Sequence, residues 1–452
     1  MARPVGDLGS CNRLAPAGES IRQANPVHPV HIAASKMTTH QAAFTLNAPL
    51  SLSGTLMSSR SPLPPAQLIA LLGALAAFGP LAIDLYLPAL PAIAHGLGAS
   101  IEAVQSSVTV FLAGFSLGML LYGPLSDRYG RRPVLLAGMA LFTVASLACW
   151  LADSVELLIA ARFAQAMGGG AASVLARAVA RDVFAPKEAI RQLSRMAMVT
   201  SVAPLLAPML GSAVLAWGGW RSPFAVLCVW GVLSTAVVAW VLAETLPPER
   251  RGGLTLGQAF AAYGQMLRQP AAVGLLLAGG LSFAAMFAYI TASPDFFIGQ
   301  QGWSPSAYAL VFAANALGIF TANFINSRLA HRLGAATLAG VGCLAGLLAA
   351  LVMNVALLGA APAMGWVVGA LAVAVSVTGL LGANCVGLLM QRFAQASGAA
   401  AALFGASQFG LGMLASAAVS ALHDGSGRPM GWVMLACLAG SAAGFVGFWR
   451  AR

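Results

Sequence analysis

Charge is nearly missing from this sequence. Only 8% of its 452 residues are Asp, Glu, Lys or Arg, while 59% are hydrophobic and the mean hydropathy is +0.82. A water-soluble domain of this length would aggregate with so much apolar surface, which leaves a polytopic membrane protein. Histidine is absent where intramembrane chemistry would need it: His28, His31, His40, His95, His331 and His423 all lie in the N-terminal tail or in loops. A rhomboid-like protease with an in-span His is thereby excluded. No span holds a pair of acidic residues, which excludes a membrane prenyltransferase built on Asp-rich motifs. An ATP-driven pump would carry Gly-x-x-x-x-Gly-Lys-Ser/Thr, and no such run occurs. Cys11, Cys149, Cys228, Cys343, Cys385 and Cys437 are too scattered to form a metal pair, so free thiols and no metal are expected.

What fills the chain instead is apolar runs of about 20 residues, the length that crosses a bilayer. Twelve are present, near 68–90, 104–124, 133–151, 156–179, 198–217, 222–243, 271–292, 306–326, 335–357, 364–389, 399–420 and 430–449. The longest polar interval among them, Glu244 to Pro270, divides the spans six and six. The expected organisation is a disordered tail over 1–65, a six-helix bundle over 66–245, a cytoplasmic linker over 246–270 and a second six-helix bundle over 271–452. The tail has no run long enough for a signal sequence, and Met57-Ser58-Ser59-Arg60, a short basic cap on the first span, reads as the true start. The net charge of +11 (24 − 13) is a matter of topology. Outside the tail, sixteen Lys and Arg fall in the even-numbered loops and at the two ends, against Arg221 and Arg428 in the opposite loops. That asymmetry puts both termini in the cytoplasm, and nucleic acid is not needed to explain the charge.

The densest charge lies in Gly123-Pro124-Leu125-Ser126-Asp127-Arg128-Tyr129-Gly130-Arg131-Arg132-Pro133, between the second and third spans. The stretch reads as a tight interhelical loop, with Gly130 supplying φ > 0 and Gly123 letting the preceding helix approach a neighbouring backbone. Arg128, Arg131 and Arg132 hold it on the cytoplasmic side. Asp127 is suited to accept from a helix N-terminus and a guanidinium together. If that N-terminus is the start of span 11, near Ser397-Gly398, Asp127 latches the two bundles. A shift of 200 residues places Arg128 on Arg328 and Arg132 on Arg332, with the aspartate and both glycines lost from the second copy, and supports two related halves.

A charge inside a bilayer is costly and needs a reason. Asp84 is the one carboxylate well within a span, sixteen residues after Leu68, or roughly 24 Å into a core about 30 Å thick. Arg162, six residues past Glu156, lies about 9 Å from the outer start of the fourth span, at similar depth. A pair is geometrically possible. Arg177 returns to within about 60° of the same face as Arg162. Burial favours a neutral carboxyl and a nearby cation favours a charged one, an opposition that would let protonation follow conformation. A helix-end contact for Asp84 and backbone hydrogen bonding for Arg162 remain open as structural alternatives. Tyr86, Gln105, Gln165, Asn315 and Asn384, with Met286, Phe287 and Tyr289, are candidates for a substrate cavity that equally suit plain helix contacts. Pro204, Pro208 and Gly211 mark a bend in the fifth span.

Several of these motifs resemble one family. Gly123, Leu125, Asp127, Arg128, Gly130, Arg131 and Arg132 fit Gly-x-Leu-x-Asp-Arg-x-Gly-Arg-Arg, the loop 2–3 signature of the major facilitator superfamily. Arg162-x-x-Gln165-x-x-Gly168 is similar to that family's span 4 motif proposed in proton transfer, with Ala166 for a glycine. Asp84-Leu85-Tyr86-Leu87-Pro88 looks like the span 1 signature of twelve-span drug:proton antiporters. Ala207-Pro208-Met209-Leu210-Gly211-Ser212 resembles the span 5 antiporter motif Gly-Pro-x-x-Gly-Gly, with Ala and Ser for two glycines. Asp84 to Pro91, Arg177 with Arg181-Asp182, and Trp220-Arg221-x-x-Phe224 point to the bicyclomycin and chloramphenicol resistance (Bcr/CflA) branch.

The resemblance covers residues 66–450 and implies an all-α fold of twelve transmembrane helices in two six-helix bundles. It implies a proton-coupled exporter of drug-like or amphiphilic molecules working by alternating access, with a proton gradient in place of a cofactor and no enzymatic activity. Asp84 and Arg162 would serve proton coupling, the Gly123–Arg132 residues the latch, and Pro204, Pro208 and Gly211 the antiporter bend. A monomer in the bacterial inner membrane is expected. An importer or facilitator of a native solute is the alternative, and a non-transporting sensor a distant third.

Overall fold

A computed structural model describes residues 63–184, 186–252, 256–359 and 362–452. The expectations for residues 1–56 and for a start at Met57 lie outside them. The helices are α1 (Pro65–Ala76), α2 (Phe78–Asp84), α3 (Leu90–Leu97), α4 (Ile101–Tyr129), α5 (Arg131–Trp150), α6 (Val155–Val183), α7 (Pro186–Gly218), α8 (Ser222–Val241), α9 (Leu256–Leu267), α10 (Pro270–Pro294), α11 (Pro305–Leu333), α12 (Ala335–Ala356), α13 (Met364–Arg392), α14 (Ser397–Ala421) and α15 (Arg428–Arg450). Among the described residues eleven segments are long and apolar enough to cross a membrane, and the apolar stretch Val202–Gly218 of α7 makes the twelfth. The first span is broken into α1, α2 and α3; α4 to α8 complete the first six, and α10 to α15 form the second six. The interval read as a linker contains α9, whose Ala259, Tyr263 and Met266 are buried.

Helix ends follow local chemistry. Ser100, Ser154 and Ser304 each stand just before a 29-residue helix and accept a hydrogen bond from the backbone N–H three residues on, satisfying one orphan donor of the first turn. The glycines of α6 permit a close crossing. A Cβ on Gly168 would overlap the backbone of Gly138 and Phe142 on α5, so that only glycine allows these helices to meet.

The arginine-rich stretch is not a loop. The helix α4 runs through Pro124 to Tyr129 and α5 begins at Arg131, so a single residue, Gly130 at φ +99°, makes the turn. A left-handed residue breaks the hydrogen-bond ladder without adding chain length, which is why the charges sit on helix ends. The expectation for Gly123 also fails, because a Cβ there would meet nothing within 4 Å.

The repeat is real, but its offset is 204 residues. Ser100 and Ser304 cap helices of equal length, α4 and α11, which end at Gly130 and at Gly334 (φ +80°) respectively. Gly334 does the work of Gly130, and the shift of 200 failed because it aligned arginines rather than the residue that turns the chain. The halves meet along two seams, α4 against α14 and α7 against α11.

Candidate transport site

The first span breaks beside its carboxylate. After α2 ends at Asp84 the chain passes through a 3-10 turn, Leu87–Ala89, that touches α7, α10 and α11. A helix end leaves carbonyls without partners. Arg162, fully buried, donates from Nη1 to the Ala82 carbonyl at 2.9 Å and to Gln165 Oε1. Its guanidinium carbon lies 4.2 Å from the ring centroids of both Tyr86 and Phe111, a cation sandwiched between two π faces. Gln165 is held in turn by Ser146, to which its Nε2 donates at 2.7 Å.

These bonds correct the expected Asp84–Arg162 pair. In this structure Arg162 satisfies the carbonyl freed by the helix break, two residues before Asp84, and no salt bridge joins the two side chains. Arg177 does not share its setting either, since Arg162 is buried and Arg177 exposed. Asp84 is only 5% exposed and has no hydrogen bond or ion pair among the described residues. The turn that follows Asp84 touches α10 and α11 of the second half, which carry Tyr289 and Tyr308. Asn315 donates to the Tyr289 hydroxyl at 3.0 Å, and Ser293 shares a hydrogen bond of 3.1 Å with Tyr308. The fifth span closes over the same break: α7 continues through Pro204 and Pro208, and a Cβ on Gly211 would overlap the Leu85 carbonyl. Glycine at 211 is what lets α7 seat beside Asp84.

A line of polar contacts crosses the seam between α4 and α14. Ser420 donates to Gln105 Oε1 at 3.2 Å, Thr109 and Thr291 share Ser416 Oγ at 2.7 and 2.8 Å, and Ser116 donates to the Ala406 carbonyl at 2.8 Å. Among the described residues Gln105 Nε2 is buried without a hydrogen-bond partner. Next to this line Phe115, Phe283 and Phe287 gather around Phe409, with ring centroids 4.5 to 6.1 Å from it. Gln105 and Phe287 therefore stand at the α4–α14 seam, while Tyr289 and Asn315 join α10 to α11 within the second half. Gln165 and Asn384 do not line it: Gln165 ties α6 to α5, and Asn384 donates to Asn326 at 2.8 Å, tying α13 to α11. Met286 accepts a 3.8 Å hydrogen bond from Thr378 through its sulfur. Two grooves of about 340 and 600 Å³ open elsewhere, between α11, α12 and α13 and between α10 and α15, and include none of these residues.

The arginine-rich face forms a network inside the first half. Asp127 pairs with Arg131, whose Nε also reaches Asp182 Oδ2 at 2.8 Å. The carboxylate that accepts at a helix N-terminus here is Glu244, at the start of α5 and not of α14. Its carboxylate takes the backbone N–H of Arg131 at 3.0 Å and of Arg132 at 3.2 Å, and so caps α5. Arg132 donates to the Ala239 carbonyl at 2.6 Å, and Arg128 lies 5.4 Å over the Tyr129 ring. At the start of α14, Arg181 Nη1 lies 3.6 Å from where a Cβ on Gly398 would be, in the place expected for Asp127. Asp127 has the guanidinium partner expected of it, Arg131 one turn away, but not the N-terminus of α14. Glu244, Ser416 and Phe409 were missed by sequence reasoning; for Glu244, a lone carboxylate at the end of the sixth span, the signal was present.

Comparison with known proteins is consistent over nearly all of this architecture. The chain matches the Major Facilitator Superfamily over residues 70–417. It is 33% identical over 384 residues to an uncharacterized MFS-type transporter, YdgK, of Bacillus subtilis, covering 84% of this chain and 95% of that one. It is 30% identical over 369 residues to a bicyclomycin resistance protein homolog of Haemophilus influenzae, covering 81% and 92%. Among solved structures, a bacterial homolog to the human lysosomal transporter Spinster, inward-facing and occupied, superposes with a TM-score of 0.63 at 17% identity over 85% of this chain and 96% of that one. That likeness speaks to the fold alone.

Proposed function

Because this chain belongs to the Major Facilitator Superfamily, we propose that it works in the family's drug-efflux branch and exports small drug-like or amphiphilic molecules in exchange for protons, by alternating access between its two halves. The observation that carries this reading is Asp84: a carboxyl group inside the first span, 5% exposed, without a partner among the described residues, at a helix break that touches the second half. A carboxyl without a partner prefers the protonated form in an apolar seam and the ionised form in water. Parting the seam on one side would let the proton leave there, and closing it would favour uptake of another. Arg162 supports the site by holding the broken backbone of the first span in place. The Phe409 cluster offers an apolar, polarizable wall for a substrate beside the polar line of α4 and α14. In this reading the arginine-rich face is cytoplasmic, the membrane is the bacterial inner membrane, the protein works as a monomer, and the proton gradient replaces any cofactor.

The test is drug accumulation in an efflux-deficient host. Expression should lower accumulation, and a protonophore should restore it. Asp84→Asn should insert and fold as the parent does yet leave accumulation at the level of the empty host. Protonophore-sensitive export by the Asn variant at the parental rate would remove Asp84 from the mechanism.

A further inference from the structure

His423 sits between α14 and α15, on the face opposite the arginine-rich turns. Its Nδ1 lies 2.8 Å from Glu102 Oε1 and its Nε2 lies 3.0 Å from Asp295 Oδ2. Glu102 belongs to the first turn of α4, in the first half. Asp295 opens the π-helical turn Asp295–Gln300 that follows α10, in the second. A neutral imidazole has a single N–H and can donate to only one of these carboxylates, leaving a lone pair against the other; the imidazolium donates to both.

We propose that His423 is a proton-binding site of this face, and that the proton it takes bridges Glu102 and Asp295 and so holds the two halves together there. The proposal rests on the alternating-access reading and extends it to a second proton site, remote in sequence from Asp84. With the proton bound, two charge-assisted hydrogen bonds span the seam. Without it, one of them is lost and two carboxylates face each other across a neutral ring, which favours parting.

The neighbouring charges leave this arrangement to His423. Gln300 donates to the same Asp295 oxygen at 2.7 Å and fixes it. Asp424, next along the chain, is turned onto Ser426, whose backbone N–H and hydroxyl donate at 2.9 and 2.7 Å and keep its carboxyl below the usual range. The Arg428 guanidinium is committed to the Leu357 and Leu358 carbonyls, and His95, at the end of α3, is exposed. The side chains of His423 and Asp295 are 18% and 17% exposed and that of Glu102 is 41% exposed, so protons reach the ring from the aqueous side of this face.

The experiment places spin labels on this face of each half, at Asp153→Cys and Leu358→Cys, both exposed, in a full-length chain whose native cysteines are replaced by serine. The distance distribution is recorded between about pH 8.5 and about pH 5.5, the range in which imidazoles titrate. The ratio of short to long distances should rise roughly tenfold as the pH falls, as expected when one charge-assisted contact is added to a two-state equilibrium. His423→Gln should hold the ratio within about twofold across the same range, and His423→Arg should keep the short distance dominant throughout. A parental ratio that does not move with pH overturns the proposal, whether or not the variants fold, and so does a His423→Gln chain that responds as the parent does. The labels report closure of this face independently of drug movement. A chain with pH-dependent distances but no protonophore-sensitive efflux would keep this site and lose the exporter reading.

Discussion

Two clusters of charge occupy opposite faces of the molecule, and they differ in what they join. On the arginine-rich face Asp127, Arg131, Asp182 and Glu244 belong to α4, α5, α6 and the end of the sixth span, all within the first half. On the other face Glu102 and Asp295 come from different halves and meet through His423. A pair inside one rigid half contributes the same energy in every conformation, whereas a pair across a moving seam favours one conformation. The first cluster therefore stabilises a fold and the second selects a state, although both are short contacts between charged groups.

The largest effect expected from this contrast is at Arg131. Arg131→Ala leaves Asp182 and Asp127 without their cation and should destabilise the protein by about 2–3 kcal/mol, the low end for a broken buried pair because Asp127 is a third open to water. Thermal unfolding in detergent should show it as a lowered Tm, while the spin-label ratio on the opposite face stays as in the parent. A changed ratio at unchanged Tm would mean that Arg131 reads the seam after all. A smaller effect on stability, with a larger one on conformation, is expected at Glu102. Glu102→Gln, at a site 41% exposed, should move Tm by less than the equivalent of about 0.5 kcal/mol while shifting the distance ratio toward the open form. A Tm loss as large as that of Arg131→Ala would erase the distinction between the clusters. The smallest effect is expected at Gly123, whose Cβ position is empty. Gly123→Ala should be neutral or stabilising by up to about 1 kcal/mol through helix propensity, and a loss of transport would show a close approach that the structure does not contain.

The spans were legible because a bilayer imposes one length and one polarity on any segment that crosses it. The six-and-six division was legible from Glu244 to Pro270 for the same reason. The candidate site was legible in part. Asp84 and Arg162 stood out because charge inside a membrane is rare, and Tyr289 and Asn315 lie on α10 and α11, the helices that touch the turn after Asp84. Their pairing was not legible: depth along two helices is a single coordinate, and rotation decided that Arg162 meets Ala82 rather than Asp84.

By itself the sequence determined the class of the protein, its division into spans and the position of its one deeply placed carboxylate, since each follows from apolar run length or from the cost of a charge in lipid. Only the tertiary structure decided which charges are partners. Glu244 caps a helix more than a hundred residues earlier, and His423, dismissed as a loop residue, joins Glu102 to Asp295. Hydrogen bonds and ion pairs act over about 3 Å between residues far apart in the chain, and no periodicity or composition encodes which distant helix ends the packing brings to that distance.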